Sequence, residues 1–445
     1  MRAPTAPTAR DAWPLAPGVR RAVVHGVEVT FLVSDALFAA IEASAWDQLE
    51  AALHLPGLER AIVTPDVHTG YAVPIGFTAV SRSHLYPDTV GPDPACSVSL
   101  SVLDDPGFDD LDRPARRAIL DDLQRAVGVS GRHARQAHAP GAPLPFDELW
   151  AILRGRRRSA RTWPFGRPTL DELAGSDELA TLEAWTRDWA TAKRRAQLRT
   201  IGGGNHFLEV QRGDDGRLYV MAHFGSRGLG ATGADAFERR IRDEIVHKGA
   251  PADLPAGLLF APADHPLGRL YFLFQTAMLD YAAAAHALVQ EAAREVLSDH
   301  LGVADGHFVG HIPHNFIERR QGAYWQRKGA TPAYDHHGIP LMIPGSMATT
   351  SYLLEPGPNA EHWGPSVPHG AGRVLSRGAA RRALDQAEVD AQLARRGALT
   401  NVRHAPIDES AGAYKDVDEV VAAVTLSGVA RVTRVLTPLL ILKGA

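Results

Sequence analysis

From Val23 to Leu32 apolar and polar residues alternate, and this spacing predicts a half-buried strand. After Ser34, an N-cap residue type, the apolar period lengthens through Ile41, Trp46 and Leu49 to Leu53. That predicts a helix, ended by Leu55-Pro56-Gly57. Ala61 to Val63 reads as a short strand. It runs into Thr64-Pro-Asp-Val-His-Thr-Gly-Tyr-Ala-Val-Pro-Ile-Gly76, too rich in Gly and Pro for regular structure and so predicted to be a working loop. Phe77–Val80 and Ser97–Leu103 read as strands, and helical patterns follow at Pro114–Ala126 and Asp171–Ala196. Low-complexity Ala, Pro and His around 133–144 mark a variable surface excursion, about 130–170. Residues 1–17 read as a flexible N-terminal tail before one domain over 18–445.

From Thr200 onward, glycine turns alternate with strands. Gly202 to Val210 passes from a glycine loop into a strand, and Leu218 to Gly228 from a strand into a loop. Tyr271–Leu297 is a long Ala-rich helical run, followed by strand-like His307–Asn315. His369-Gly-Ala-Gly-Arg373 reads as a glycine turn opening a helix, whose amides and N-terminal potential suit an anion. There is no internal repeat and no linker. The fold class this predicts is α+β: a single large domain of β-sheets flanked by helices, with glycine-rich loops lining a deep cleft.

Composition narrows the class. The chain has 45% hydrophobic and 22% charged residues and a net charge of −4, so a polyanion would need a local basic surface. The basic run Arg154 to Arg158 is such a candidate, although a charge run is usually a solvated face. One cysteine in 445 residues excludes an intrachain disulfide and fits a cytoplasmic location. The N-terminus has no signal-peptide core, and no apolar run of membrane-spanning length stands out.

The lone Cys96 lies three residues after Asp93 in a loop stiffened by Pro92 and Pro94. His206, His223 and His314 each sit where a strand meets a glycine- or asparagine-containing loop. Taken singly, each histidine and the cysteine read more readily as core residues than as ligands. Together they supply five donors, more than one tetrahedral ion takes, so two ions sharing the Cys96 thiolate is the economical arrangement. Such donors favour zinc or cobalt, because manganese sits at the weak end of the affinity series. His369 at its glycine turn is a candidate nucleophile toward phosphorus, or a hydrogen-bonding phosphate ligand. Pro344-Gly-Ser-Met347 would form a second anion-binding turn. Lys443, in an apolar run near the C-terminus, reads as an amine directed inward.

These motifs, in this order, resemble the RtcB family of GTP- and manganese-dependent RNA ligases. The segments that carry the resemblance are Thr64–Gly76, Asp93-x-x-Cys96, Gly203–Glu209, His223–Gly228, His314-Asn315 and Arg327–Thr331. They continue with Ile343–Met347, His369–Arg373, Ala413–Asp416 and Lys443-Gly444. The resemblance implies that Asp93, Cys96, His206, His223 and His314 hold two Mn²⁺ ions, with Cys96 bridging. It implies that His369 attacks the α-phosphorus of GTP to give a histidine–GMP intermediate. The guanylate contacts it implies are Asn205, His206, Phe207, Leu208, Glu209, His314 and Asn315. They extend to Pro344, Gly345, Ser346, Met347, Ser351, His369, Gly370, Ala371, Gly372, Tyr414 and Lys443. Arg227 matches an RNA-contacting position; Arg194 and Arg195 are further candidates for RNA phosphates. The implied partner is RNA with a 3′-phosphate or 2′,3′-cyclic phosphate and a 5′-hydroxyl end, with an archease-like activator as in some relatives.

Three departures stand out. Gly91-Pro-Asp-Pro-Ala-Cys-Ser97 stands where the family usually has Gly-Val-Asp-Ile-Gly-Cys-Gly. Phe224 replaces a serine, and Ala285-His286 replaces an Asn-Arg pair. Two other readings remain: a metal-dependent nucleotidyltransferase or cyclic phosphodiesterase acting on another phosphate end, and a non-catalytic RNA-binding relative.

Overall fold

Two mainly antiparallel sheets carry the fold of this computed structural model, which describes residues 8–104, 107–129, 141–158, 167–304 and 306–444. The first sheet has seven strands, in spatial order Trp13–Ala16, Val19–Val24, Val27–Phe31, Arg60–His68, Ile75–Ser81, Ala323–Lys328 and Asn315–Arg320. The second has His307–Pro313, Ser97–Leu103, Leu218–Phe224, Phe207–Gly213, Ala430–Lys443, Ser351–Pro356 and Leu341–Ile343, with Leu399–Thr400 beside Ala430–Lys443. Antiparallel pairing with flanking helices makes this the expected α+β domain.

Strand alternation in the second sheet separates two cores. Leu208, Val210, Val220, Ala222, Leu440 and Leu442 face the long helix Pro266–Leu301. Phe207, Tyr219, Met221, Val98 and Leu100 face the other way. In register, Phe207 pairs with both His223 and Lys443, and His223 with Val98. Directly paired residues share a face, so Lys443, Phe207 and His223 form one row at an end of the sheet. That row is the floor of the site.

The long helix begins with a His265 side chain accepting from Leu267 N and Pro266 in its first turn, and it ends at Gly302 with φ 65°. By length and composition alone it is apolar enough to span a membrane, although no such run stands out in the sequence. However, 78% of its most apolar window is buried inside the protein, so it is a core helix.

Local pattern overshot several boundaries. Val23–Leu32 is not one strand: the chain turns at His25 and Gly26, both at positive φ, into a hairpin. The helix after Ser34 is two, Asp35–Ala39 and Ala43–Ala52, with Ser34 capping the first as expected. Thr64–His68 is not loop but the buried second half of the strand Arg60–His68. Asp171–Ala196 breaks into Leu170–Leu173, Ser176–Trp189 and Ala192–Arg195. Trp13–Ala16, inside the expected tail, is an edge strand. Of the surface excursion, 130–140 and 159–166 lie outside the described residues, while Phe146–Leu153 is a helix.

Candidate metal centre and nucleotide cleft

Cys96 ends the loop before Ser97–Leu103, and His223 is the next-to-last residue of the neighbouring strand. His314 follows His307–Pro313 on the other side, and its amide donates to Cys96 O. Adjacent strand ends thus bring three donors together. Cys96 Sγ lies 3.2 Å from His223 Nε2, which lies 3.2 Å from His314 Nε2. The glycine loop adds His206, its Nε2 3.7 Å from Cys96 Sγ and 2.9 Å from Asp93 Oδ2. Two triads result, Cys96/His223/His314 and Asp93/Cys96/His206, each with its donor atoms within 4.8 Å of one another. Cys96 belongs to both.

The electrostatics suit a cation. Burial, then the neighbouring histidines, pushes His223 and His314 well below the usual imidazole range, so both are neutral donors. Burial and the Asp93 carboxylate push the Cys96 thiol up; a cation at the shared point would favour the thiolate instead. Burial also raises Asp93, but His206 and Arg227 more than offset it and hold the group below its ordinary value. One soft sulfur, imidazoles and a carboxylate are a fitting donor set for a first-row transition metal.

The Asp93 loop is tied down from several sides. Ser226 donates through N and Oγ to Pro94 O, and Ala95 N donates to Asn315 O. A Cβ on Gly225 would meet Asp93 Oδ1 at 2.4 Å, so only glycine lets that carboxylate approach. Ala95, where the family has glycine, sits at φ 59°, a left-handed conformation that costs an alanine about 1–2 kcal/mol. Its methyl is fully buried. Ala95→Gly loses that contact and stiffness but relieves the strain. It is therefore expected to destabilise by about 1–2 kcal/mol less than Ala222→Gly, a buried strand position without strain. Thermal or denaturant melts of the two variants measure the difference.

The other two departures prove to be one contact. Phe224 and the His286 ring stack at 3.7 Å and 11°. His286 also bridges Ser99 Oγ at 2.7 Å and Phe224 O at 3.0 Å, and His311 lies parallel beside it at 5.5 Å. An aromatic–imidazole stack thus buttresses the strand end that presents His223.

Beside the cluster lies a cavity of about 390 Å³. His369 stands in it, its ring centroid 5.0 Å from that of His314. Its Nδ1 is 2.8 Å from Asp66 Oδ2 and 3.0 Å from Gly329 O. Both neighbours are acceptors, so Nδ1 carries the proton and Nε2 keeps its lone pair. Asp66 is fully buried; Thr64 Oγ1 donates to its other oxygen, and the Lys415 ammonium supplies a nearby positive charge.

The sequence-predicted residues divide by location. Asn205, Phe207, Glu209, Pro344, Gly345, Ser346 and Met347 line the cavity with His369. So do Gly370, Ala371, Gly372, Tyr414 and Lys443. Leu208 does not: alternation turns its side chain into the core under the sheet. Ser351 lies behind the wall, where its Oγ accepts from Gly345 N and Gln211 Nε2. His206, His314 and Asn315 belong to the metal cluster and its frame. His369–Arg373 does not open a helix; the next one starts at Arg377, capped by Ser376, and Arg377 itself lines the cavity.

At one end of the cavity, burial pushes Glu209 up to about 7, and Gln211 Nε2 donates to it at 2.7 Å. Lys443 Nζ does point inward, to Glu409 Oε2 at 3.0 Å. Glu409 also accepts from Tyr414 OH and Arg373, whose guanidinium lies over the Tyr414 ring. Arg227 is half-buried, and its NH1 lies 3.3 Å from His206 Nδ1. In the run 154–158, Arg154 and Arg156 share Asp171 and Arg158 pairs with Asp280, so three of its four guanidiniums are engaged by two carboxylates.

Sequence reasoning gave no role to Asp66, Glu409 or Arg373. A carboxylate inside an apolar strand, two residues before His68, was the available signal for Asp66. Glu409 lies in a segment whose fold follows no simple period.

The family model described as tRNA-splicing ligase RtcB matches residues 48–444. The tRNA-splicing ligase RtcB of Archaeoglobus fulgidus is 30% identical, over 96% of this chain and 95% of its own length. The RNA-splicing ligase RtcB of Mycobacterium bovis is 32% identical, over 88% of this chain and 98% of its own. That of Thermococcus kodakarensis, a tRNA-splicing ligase RtcB, is 31% identical over 88% and 89%.

Proposed function

The chain belongs to the RtcB family of tRNA-splicing ligases, and on that footing we infer that it joins RNA ends through a covalent histidine–GMP intermediate on His369. The ends joined are a 3′-phosphate, or a 2′,3′-cyclic phosphate opened first by water, and a 5′-hydroxyl. One observation carries this reading. A histidine whose proton is fixed on Nδ1 stands between a five-donor metal cluster and a cavity ending in a buried carboxylate and lysine.

His369 Nε2 attacks the α-phosphorus of GTP; the phosphorus–oxygen bond to pyrophosphate breaks, and a phosphoramidate forms. GMP then passes to the RNA 3′-phosphate, restoring the imidazole. The 5′-hydroxyl attacks that activated phosphate, closing the phosphodiester and expelling GMP. Asp66 and Gly329 O keep the attacking nitrogen unprotonated and aimed. Glu209, as the carboxylate, accepts from the N–H edge of guanine, with Phe207 and Tyr414 as flanking aromatic surfaces. Cys96, His223 and His314 would hold one Mn²⁺, and Asp93, Cys96 and His206 the other; bound there, the ions would neutralise charge on the phosphates. The donor set would also accept zinc or cobalt, so the assay includes all three metals.

Incubation with α-labelled GTP and each metal is expected to label the protein, with peptide mapping locating GMP on His369. Addition of RNA with a 3′-phosphate and RNA with a 5′-hydroxyl, with and without an archease, is expected to give joined product. No label under any metal overturns the reading. Label without joining transfers the proposal to a nucleotidyltransferase acting on another end.

A further inference from the structure

Tyr71 is the most exposed large hydrophobic residue of the described chain, with 69% of its surface in solvent. Its ring and hydroxyl have no aromatic or hydrogen-bond partner among the described residues. The backbone beneath it, by contrast, is held fast. Gln48 clamps Gly70 twice, its Nε2 donating to Gly70 O and its Oε1 accepting from Gly70 N, each at 2.9 Å. Thr69 N donates to Glu42 Oε1 at 3.0 Å. The buried Lys328 ammonium donates to Tyr71 O, and to Val73 O at 3.1 Å. Val73 N closes a three-residue turn on Tyr71 O at 2.8 Å, across Ala72 at φ 62°, which is the strained hand of that turn. A strained, cross-braced turn thus holds one ring out in water.

That ring lines the cavity in which His369 stands, in the loop between Arg60–His68 and Ile75–Ser81 of the first sheet. His68, three residues before it, lies parallel to His369 with ring centroids 6.4 Å apart. Phe207 and Glu209, placed around guanine above, come from the second sheet, so Tyr71 belongs to a different wall. An aromatic face fixed in water beside a site for RNA ends suits a nucleobase. Stacking needs only a π-face and so accepts any base, and a ring already fixed loses little freedom when the base arrives.

We propose that Tyr71 is the platform on which the 3′-terminal base of the RNA stacks while its phosphate reaches His369. The 3′ end is the one assigned because its own phosphate must come within bonding distance of His369 Nε2 to receive GMP. Tyr71 lies one short loop from that histidine's parallel neighbour. This rests on the RNA-ligase reading and adds to it the group that seats the terminal nucleoside.

The test uses the full chain without GTP and a short single-stranded RNA whose 3′-phosphorylated terminal nucleotide carries 2-aminopurine, a base whose fluorescence is quenched by stacking. Wild-type protein is expected to quench it. Tyr71→Ala, which removes only an exposed ring, is expected to abolish the quenching and to weaken binding at least about fivefold. The loss is expected to be similar for purine and pyrimidine ends, and the dependence of affinity on salt to keep its slope, since no phosphate contact is removed. An abasic 3′-terminal nucleotide is expected to cost the wild type the same factor and Tyr71→Ala nothing further. Tyr71→Trp restores a π-face and is expected to recover both signals. Wild-type quenching and affinity in Tyr71→Ala would overturn the platform while leaving the ligase reading intact. So would a loss confined to the 5′-hydroxyl strand, or one that Tyr71→Trp does not recover. Wild-type protein that takes up GMP but binds no RNA would overturn both.

Discussion

Cys96→Ala is expected to empty both halves of the metal site and to reduce GMP labelling to background, with the fold retained. The argument is geometric. Cys96 is the one donor common to the two triads, and its sulfur lies within 3.7 Å of imidazole nitrogens from both. Losing Asp93 or His223 leaves one triad whole; losing the sulfur breaks each. The fold should survive because alanine fills the same small buried position, at the head of a strand paired on both sides. A readout independent of activity follows from linkage. Manganese at ~100 times its dissociation constant is expected to stabilise the native wild type by about 2.7 kcal/mol, seen as a higher Tm than in chelator. The variant is expected to show no such rise and to retain no metal after dialysis. A variant with a full metal-dependent rise and normal labelling would remove Cys96 from the centre.

Asp66→Asn is expected to slow GMP transfer to the protein by about 10²–10⁴-fold while leaving GTP affinity nearly unchanged. The carboxylate is fully buried and accepts from His369 Nδ1 at 2.8 Å. An amide presents an N–H to that nitrogen and favours the opposite tautomer, which places a proton on Nε2 and removes the nucleophile. Asp66→Ala leaves Gly329 O as the remaining acceptor and is expected to lose less than Asp66→Asn, although the alanine removes more atoms. That inversion separates tautomer control from packing. Equal GTP affinity in both variants, with equal and wild-type labelling rates, would show that Asp66 does not act through His369. Melting curves on both guard against loss of fold, since Thr64 and Lys415 also lean on this carboxylate.

Much of the site was legible in residue types and their punctuation. Ser97–Leu103 is a strand at its expected bounds, and the long helix lies where its Ala-rich run indicated. His206, His223 and His314 sit where strands meet loops, as the sequence predicts, and Cys96 directly precedes a strand. What misled was the assumption that Gly and Pro always end regular structure. Thr64–His68 stays extended and buried despite Pro65, and Asp66 becomes a partner of His369 there. The glycines after His369 suggested a helix N-terminus, whereas Gly372, with φ 76°, brings the chain close against Asp66 instead.

The sequence by itself determined the chemistry available: one thiol, a few histidines at glycine turns, and a lysine in an apolar strand. It also determined the α+β class, because strand and helix periods are local properties of neighbouring residues. Tertiary structure decided which donors meet. Cys96 and His314 are separated by more than two hundred residues, yet they join through the pairing of Ser97–Leu103 with His307–Pro313. Register made that choice, since a slip of one residue turns every side chain of a strand to the other face. Tertiary structure also decided which cations are engaged, because a charge run shows its sign in sequence but not its partners. Arg154, Arg156 and Arg158 meet Asp171 and Asp280 only in the folded protein.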